Sequence, residues 1–364
     1  MNKITKGKCN KSNRSVVKII NNNIWESNMY IIATVGPKTL DKWIIKELME
    51  NGINILRFNC SHFNKDDFEK VIVKARNINK NIKILVDLCG KKIRVSKELK
   101  YIYKIYNNQE IYFCGEDLYK KIDISKYQYN KIIPLNIKTN EIEENNIEAI
   151  SIKDNTMKFK IISKENGIIK AKVLKGGIIR SGKGCNLSNL NIRRPILSEE
   201  DEKYALWAIK NSADIICQSF VESQKEIEIL EDIIKKQGSS KIEIWAKVET
   251  PKGIDNLDEI FNKVDTIVLG RGDLVPEAGI LQAVKLQDLA IKKAKINNKK
   301  IIVATRLLNS MKNGQCPNIN EIEGIYYFLK NNVDGFLLAG ETSIGKAPVE
   351  TVALLNKAIK YYNS

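Results

Sequence analysis

The chain has 364 residues, of which 43% are hydrophobic, and a formal net charge of +17 from 60 Lys and Arg against 43 Asp and Glu. The excess is mainly lysine spread along the chain, without a basic stripe with interleaved aromatic residues or an RNA-binding motif, which argues against nucleic-acid binding. No run approaches the roughly 18 apolar residues of a membrane helix, and seven cysteines without a Cys-x-x-Cys pair predict reduced thiols and a cytoplasmic protein.

Residues 1–28 are polar and basic, and Glu26 is their only acidic residue, so we expect a disordered N-terminal arm. Eight short apolar runs follow, each ending in polar or glycine-containing sequence and most of them separated by helix-like stretches. These runs are Met29–Thr34, Ile53–Phe58, Ile82–Val86, Ile215–Cys217, Ile242–Ala246, Thr266–Leu269, Lys300–Ala304 and Gly335–Ala339.

Eight strands that alternate with helices predict an α/β fold, a (β/α)8 TIM barrel formed by residues 29–94 and 190–364. The alternative is an open doubly wound sheet, but no glycine-rich dinucleotide loop follows the first run. Residues 95–189 interrupt the barrel pattern with short alternating stretches, such as Ile168 to Val173, and predict a small antiparallel β domain inserted after strand 3. At the rim of a barrel such a domain could close as a lid and expel water.

Polar residues collect where the predicted strands end, which is where such barrels place their chemistry. Lys247 and Glu249 close one predicted strand, and Asp273 follows the next. Two carboxylates are suitable ligands for Mg²⁺ or Mn²⁺, and a neighbouring lysine adds a charge for a phosphate or an enolate. The alternative interpretation is a surface Lys/Glu pair and an Asp in a turn.

Seven segments, in this order and spacing, resemble those of the pyruvate kinase family. They are Thr34–Pro37, Asn54–His62, Lys183–Leu187, Ala246–Glu249, Gly270–Leu274, Ala304–Met311 and Leu338–Thr342. The resemblance runs from about Met29 to about Lys360. It implies transfer of phosphoryl from phosphoenolpyruvate to ADP or another acceptor with Mg²⁺ or Mn²⁺, giving pyruvate. It also implies a homo-oligomer formed through the barrel domain.

The resemblance implies roles for individual residues. Arg57 matches a phosphate-binding arginine, Lys247 a lysine at the transferring group, and Thr305 the threonine associated with protonating the enolate. Glu249 and Asp273 match the carboxylates that hold the Mg²⁺. Because phosphoryl transfer needs charge neutralised on several oxygens, this concentration of cations and a metal suits the reaction.

Two further sets of residues follow from the same resemblance. The substrate carboxylate would rest on backbone N–H groups near Gly272 and Asp273, where a strand passes into a helix. The residues that match a nucleotide-binding role are Thr34, Pro37, His62 and Arg94.

The segment after the third strand predicts independence from K⁺. Family members that need K⁺ carry Thr-Lys after the aspartate and Glu where Lys92 stands, whereas K⁺-independent members carry Leu and Lys, as this chain does with Leu88 and Lys92. We expect the Lys92 ammonium to take the place of the ion beside Asn59, Ser61 and Asp87. A solvent-facing lysine is the alternative.

Other positions depart from the family. Glu200 stands where the family has a lysine near the nucleotide phosphates, and the reversed charge should weaken ADP binding. Family members continue into an allosteric α/β domain, whereas this chain ends at Ser364, so control through that domain is not expected. The sequence thus leaves two functional classes: a phosphotransferase, with a lyase as a variant, or a regulatory protein that binds phosphoenolpyruvate or pyruvate.

Overall fold

The computed structural model describes residues 29–122, 131–153, 155–188, 197–239 and 241–363. Its strands are β1 (Tyr30–Thr34), β2 (Ile55–Asn59), β3 (Lys83–Asp87), β4 (Ile93–Arg94), β5 (Tyr103–Ile105), β6 (Glu110–Gly115), β7 (Ile132–Leu135), β8 (Ala149–Ile152), β9 (Met157–Glu165), β10 (Ile168–Lys175), β11 (Gly177–Ile179), β12 (Gly184–Leu187), β13 (Ile215–Gln218), β14 (Glu243–Val248), β15 (Thr266–Gly270), β16 (Lys300–Ala304) and β17 (Gly335–Leu338). The expected N-terminal arm, residues 1–28, lies outside the described residues.

The α-helices of the described chain are α1 (Lys42–Glu50), α2 (Lys65–Ile78), α3 (Glu116–Tyr119), α4 (Thr139–Glu143), α5 (Glu199–Lys210), α6 (Gln224–Lys236), α7 (Pro251–Asp255), α8 (Leu257–Ile260), α9 (Arg271–Ala278), α10 (Ile280–Ile296), α11 (Asn309–Lys312), α12 (Ile319–Lys330), α13 (Gly340–Ser343) and α14 (Pro348–Tyr362). A 3₁₀ turn covers Cys60–His62. Among these helices, none is long and apolar enough to cross a membrane.

Eight parallel strands close into a barrel in the order β1, β17, β16, β15, β14, β13, β3, β2. This confirms the predicted (β/α)8 barrel, and every predicted apolar run overlaps one of its strands. Strands of such a barrel are covered on both faces, by the interior on one side and the helices on the other. That double burial explains why the runs are continuously apolar rather than alternating.

The barrel interior is a packed core and not a channel. Its centre is Trp245, which is 1% exposed and meets the ring of Tyr30 edge-on at 5.4 Å. Aliphatic side chains from the other strands fill the remaining space. Chemistry is therefore confined to the mouth of the barrel, where the strands end.

The chain between β3 and β13 forms a separate β-rich unit, called the lid here, with strands β4 to β12. Seven of these strands form one sheet in the order β4, β12, β8, β9, β10, β6, β7, and β11 pairs with β5. The sheet is mixed and not wholly antiparallel as expected, because β6 and β7 run parallel. Its own core includes Phe113 and Phe159, whose ring centroids are 5.2 Å apart. Strand β4 begins two residues before the expected boundary at 95 because it pairs with β12.

Candidate active site

The ends of the barrel strands and the lid enclose a cavity of about 260 Å³, called the central cavity here. It brings together most of the site residues that the sequence analysis singled out. Those that line it are Arg57, Asn59, Ser61, His62, Lys92, Arg94, Lys247, Glu249, Gly272, Asp273 and Thr305. These residues come from the ends of four barrel strands, β2, β14, β15 and β16, and from the base of the lid, so only the folded chain assembles them.

Asp87, at the end of β3, organises the cations beneath the central cavity. Its side chain is 1% exposed and accepts hydrogen bonds from Arg57 Nε at 2.7 Å and Ser219 Oγ at 2.8 Å. The Nζ of Lys247 lies 3.3 Å from Asp87 Oδ2 and 2.8 Å from Ser219 Oγ. Burial opposes ionisation of Asp87, but the charges of Lys247 and Arg57 outweigh it and hold its pKa below the usual range. One buried carboxylate thus fixes two cations in place.

Lys247 supplies a permanent positive charge at the centre of the site. Burial alone would lower the pKa of its ammonium, but Asp87 and Glu249 more than reverse that effect and raise the pKa. The Nζ lies 3.4 Å from Glu249 Oε1. Lys247 is consequently suited to stabilise negative charge and is not suited to act as a base near neutral pH.

Glu249 and Asp273 form a pair of carboxylates at the barrel mouth. Glu249, just after β14, is 1% exposed, and its Oε2 accepts a hydrogen bond from Phe220 N at 3.2 Å. Its pKa is raised, chiefly by burial, and Asp273 adds to the effect while Lys247 opposes it. Burial would raise the pKa of Asp273, in the first turn of α9, but the charge of Lys92 outweighs it and lowers the pKa.

This carboxylate pair fits a divalent cation. Mg²⁺ is commonly held by one or two protein carboxylates together with oxygens of the substrate and water. Within the described ranges, no group of three or more His, Cys, Asp or Glu side chains could hold a metal by itself. Glu249 and Asp273 would therefore supply part of the ligand set, and a substrate the rest.

Lys92 enters the central cavity from the segment that leads into the lid. Its ammonium contacts the carboxylate of Asp273. The other residues expected at a monovalent-ion position have protein partners: Asn59 Oδ1 accepts from Ser61 N at 3.1 Å, and Asp87 is paired with cations as described above. Lys92 is thus placed beside Asp273, one of the two carboxylates that fit a divalent cation, and independence from K⁺ stays a prediction.

Thr305 follows β16 in an unusual backbone conformation. Thr305 and Arg306 have φ values of 67° and 55°, in the left-handed region that a β-branched residue such as threonine rarely adopts. Each such residue costs on the order of 1 to 3 kcal/mol. Gly272 lies close by, since a Cβ at this position would stand 3.2 Å from Thr305 Oγ1.

A second cavity of about 540 Å³ lies between the base of the lid and helix α5 and is called the outer cavity here. His62 and Arg94, two of the expected nucleotide-binding residues, line both cavities. Arg94 Nη2 donates to Ser61 Oγ at 2.7 Å. Burial and the nearby charge of Arg94 lower the pKa of His62, so its ring is neutral near pH 7.

The other two expected nucleotide-binding residues lie elsewhere. Thr34 is 4% exposed, and its hydroxyl donates to Leu338 O at 2.8 Å and accepts from Arg57 Nη1 at 2.9 Å. Its side chain therefore holds Arg57 from within the barrel wall. Pro37 is exposed on the loop after β1 and is not part of the lining of either cavity.

Glu200 lines the outer cavity and forms an ion pair across the boundary between barrel and lid. Its Oε1 lies 2.8 Å from Lys97 Nζ and accepts from the hydroxyl of Tyr204 at 2.9 Å. The hydrogen bond from Lys97 is the main reason why the pKa of Glu200 is lowered. The side chains of Lys97 and Glu200 are 81% and 49% exposed, so water screens this pair.

Sequence reasoning missed two lysines of the central cavity. Lys153 and Lys183 reach its lining from the lid. Lys183 opens one of the segments on which the family resemblance rests, which was a usable signal. Lys153 carries no local signal among the many lysines of the chain, because only the docking of the lid places it there.

Comparison with known proteins agrees with this geometry. The family model for the barrel domain of pyruvate kinase matches residues 26–352. The pyruvate kinase of Methanocaldococcus jannaschii is 33% identical over 335 residues, covering 91% of this chain and 68% of the relative. That of Candida albicans is 31% identical over 345 residues, covering 91% and 67%.

The match covers most of this chain but less of some relatives. The pyruvate kinase of Sporosarcina psychrophila is 26% identical over 333 residues, and this chain covers 56% of its length. For the pyruvate kinase of Thermoplasma acidophilum the identity is 28% and the coverage 57%. The chain thus spans somewhat more than half the length of these two relatives. With a match to the family model over nearly the whole described barrel and lid, the chain belongs to the pyruvate kinase family.

Proposed function

We propose that the protein is a phosphotransferase that moves phosphoryl from phosphoenolpyruvate to ADP or another acceptor and releases pyruvate, with Mg²⁺ or Mn²⁺ as cofactor. The observation that carries this proposal is the charge of the central cavity. Six cationic side chains line it against two carboxylates, Glu249 and Asp273. The cationic residues are Arg57, Lys92, Arg94, Lys153, Lys183 and Lys247. Such a cavity favours a small polyanion such as a phosphorylated carboxylate.

Different residues of the central cavity would bind different groups of the substrate. Arg57, fixed by Asp87 and Thr34, would grip the phosphate, and Lys247 would neutralise charge that develops during transfer. Backbone N–H groups at the start of α9, near Gly272 and Asp273, would bind the substrate carboxylate. A divalent cation held by Glu249 and Asp273 would add Lewis-acid stabilisation of the phosphoryl and enolate oxygens.

Loss of phosphoryl leaves an enolate, which becomes pyruvate when C3 gains a proton. We assign the delivery of this proton to the hydroxyl of Thr305, which lies in the central cavity beside Gly272. In the structure this hydroxyl donates to Ala304 O at 2.6 Å, so its orientation is defined. The hydroxyl would recover its proton from water.

A second candidate, a regulatory protein or lyase that binds phosphoenolpyruvate or pyruvate, is favoured by one observation. The ion pair between Lys97 and Glu200 stands in the outer cavity, where an acceptor would enter. A carboxylate there opposes a nucleotide phosphate. Both candidates share the central cavity and differ in whether phosphoryl is transferred to an acceptor. We also infer a cytoplasmic protein, in keeping with the free cysteines of the described chain.

The deciding experiment measures pyruvate release with Mg²⁺ and phosphoenolpyruvate across a panel of nucleoside diphosphates, inorganic phosphate and pyrophosphate. In parallel, the thermal stability of the protein is measured with each ligand. Binding to the native state at about 100 times the dissociation constant should add roughly 2.7 kcal/mol. Stabilisation without turnover on any acceptor would support the regulatory candidate, and no stabilisation at millimolar ligand would reject both.

The variant Glu249→Gln tests the metal within the same experiment. It keeps the shape of the side chain but removes one anionic ligand, so the part of the stabilisation that depends on Mg²⁺ should disappear. Glu243→Gln is a matched control, since Glu243 begins the same strand at the opposite end. If Glu249→Gln retained the full Mg²⁺ effect, the metal would have to bind elsewhere.

A further inference from the structure

The guanidinium of Arg271 holds the backbone that carries Thr305. Its Nε and Nη2 donate to Thr305 O at 3.2 and 2.6 Å, and Nη2 also donates to Arg306 O at 2.7 Å. Arg271 is the first residue of α9 and is not part of the lining of the central cavity. Its side chain therefore acts on the protein backbone and not on a substrate.

Packing fixes this guanidinium from the other side. It lies over the ring of Phe328, 4.9 Å from the centroid, and Phe328 is 2% exposed on α12. A planar guanidinium can stack on an aromatic face while its edge donates to two acceptors, which a lysine ammonium cannot reproduce. The arginine side chain thus has little freedom to leave the carbonyl oxygens of Thr305 and Arg306.

The two residues that it holds are the strained ones. Thr305 and Arg306 both have positive φ, and strained conformations persist only where surrounding contacts impose them. Charge-assisted hydrogen bonds to two consecutive carbonyls are contacts of that kind. Without them the backbone would be expected to relax and to carry the Thr305 hydroxyl away from Gly272.

We infer that Arg271 is a positioning residue that keeps the Thr305 hydroxyl in place to protonate the enolate. The inference rests on the proposed function. It further implies that residues 271–273 act together. Arg271 positions the Thr305 hydroxyl, Gly272 leaves room for that hydroxyl, and Asp273 provides a carboxylate ligand for the metal. The first turn of α9 thereby fixes the distance between the metal and the proton donor.

The test compares the wild type with Arg271→Met and Arg271→Lys. Two quantities are measured: turnover with phosphoenolpyruvate, and exchange of the pyruvate methyl protons with deuterated water in the presence of Mg²⁺, followed by NMR. Arg271→Met should lower kcat and the exchange rate on the order of 10- to 100-fold, because small displacements of a reacting group have effects of this size. The KM for phosphoenolpyruvate should stay within about threefold, and Arg271→Lys should recover part of the rate.

Two controls separate positioning from a general loss of stability. Arg76→Met removes another arginine whose Nη2 donates to a backbone carbonyl, Ser212 O at 2.8 Å, and should leave both rates unchanged. In a Thr305→Ala background, Arg271→Met should cause no further loss, because its effect passes through Thr305. Additive losses, or a raised KM with unchanged kcat, would overturn the inference.

A crystal structure of Arg271→Lys gives an answer that does not depend on activity, and it serves if Arg271→Met fails to fold. Because lysine replaces only part of these hydrogen bonds, Thr305 should keep its backbone region but shift its hydroxyl away from Gly272. An unchanged conformation would contradict the inference. A wild-type protein with neither exchange nor turnover would instead reject the proposed function.

Discussion

The central and outer cavities adjoin one another but differ in how deeply their charged side chains are buried. In the central cavity and beneath it, Arg57, Asp87 and Glu249 are 6%, 1% and 1% exposed, and each has a partner at short distance. In the outer cavity, the side chain of Lys97 is largely open to water and that of Glu200 is half exposed. Water weakens an exposed pair, whereas loss of one member of a buried pair leaves an uncompensated charge. The same residue types should therefore give large effects in one cavity and small effects in the other.

The balance of charges also differs. Cations outnumber carboxylates three to one around the central cavity. In the outer cavity four cations, Lys92, Arg94, Lys97 and Lys120, stand against three carboxylates, Glu98, Glu116 and Glu200. Under the proposed function, this balance favours the phosphoryl group in the central cavity and a less charged part of an acceptor in the outer cavity.

The largest effect is expected for Asp87→Asn. This change leaves the buried cations of Arg57 and Lys247 without their shared carboxylate, and breaking a buried pair typically costs about 3 to 5 kcal/mol. The free energy of unfolding, measured with urea, should fall by this amount. Glu200→Gln, which breaks the exposed pair, should cost at most about 1 kcal/mol.

The effect of Asp87 should depend on pH in a definite direction. Its pKa in the folded protein is depressed, so its contribution is present above the unfolded value of about 3.9 and is lost as the pH falls through the folded pKa. The difference between wild type and Asp87→Asn should therefore persist at pH 5 and shrink only below about pH 4. Equal costs for Asp87→Asn and Glu200→Gln would contradict the contrast between the cavities.

Lys247→Met should affect the rate next most strongly. Removal of one electrostatic contact to developing charge typically lowers the rate by about 100- to 1,000-fold, with a smaller change in KM for phosphoenolpyruvate. Steady-state pyruvate release measures both quantities. Lys46→Met is the control, because Lys46 pairs with Glu50 on the exposed face of α1. Near wild-type turnover of Lys247→Met would make this lysine a structural residue.

Glu200→Lys should have a modest effect in the outer cavity. It replaces a repulsive carboxylate by a cation, and because the position is half exposed we expect ADP binding to tighten by no more than about tenfold. Glu200→Gln should give a smaller gain in affinity, since it only removes the negative charge. Isothermal titration of ADP in the presence of Mg²⁺ measures both changes. Unchanged ADP affinity in both variants would indicate that the acceptor is not a nucleoside diphosphate.

The smallest effect is expected for K⁺. Lys92 is a covalently attached cation beside Asp273, so exchanging KCl for a tetraalkylammonium salt at equal ionic strength should leave the rate unchanged within about twofold. Lys92→Glu should depress activity and confer some response to added K⁺ if Asn59, Ser61 and Asp87 can still bind it. Strong activation of the unchanged protein by K⁺ would refute this role of Lys92.

The sequence was sufficient for the barrel because its signals are local. Continuous apolar runs mark the strands, and the helix-like stretches between them correspond to helices such as α6. The residues gathered at the central cavity are also predictable from the sequence, since in a parallel barrel all strands end at the same face. The mixed order of the lid sheet was not predicted, because alternation of polar and apolar residues indicates a strand but not the strand with which it pairs.

Contacts between distant segments account for what was missed. Nothing around Arg271 indicates that its guanidinium reaches the carbonyl of Thr305, 34 residues away. The placement of Lys153 and the buried role of Thr34 likewise depend on packing between elements. Such roles depend on the three-dimensional arrangement of the elements, and the order of residue types along the chain says little about them.

Closure of the barrel has a consequence for the order in which the chain can fold. Strand β1 pairs with β17, and just beyond this seam the backbone N–H of Thr34 donates to Thr342 Oγ1, which is 308 positions away in sequence. Contacts of such long range are slow to form and come late. During synthesis, the edge of β1 that pairs with β17 therefore remains unpaired until β17 has emerged from the ribosome. The lid strands, whose partners lie nearer in sequence than those of the seam, can pair before then, so the inserted unit can acquire structure before the barrel closes.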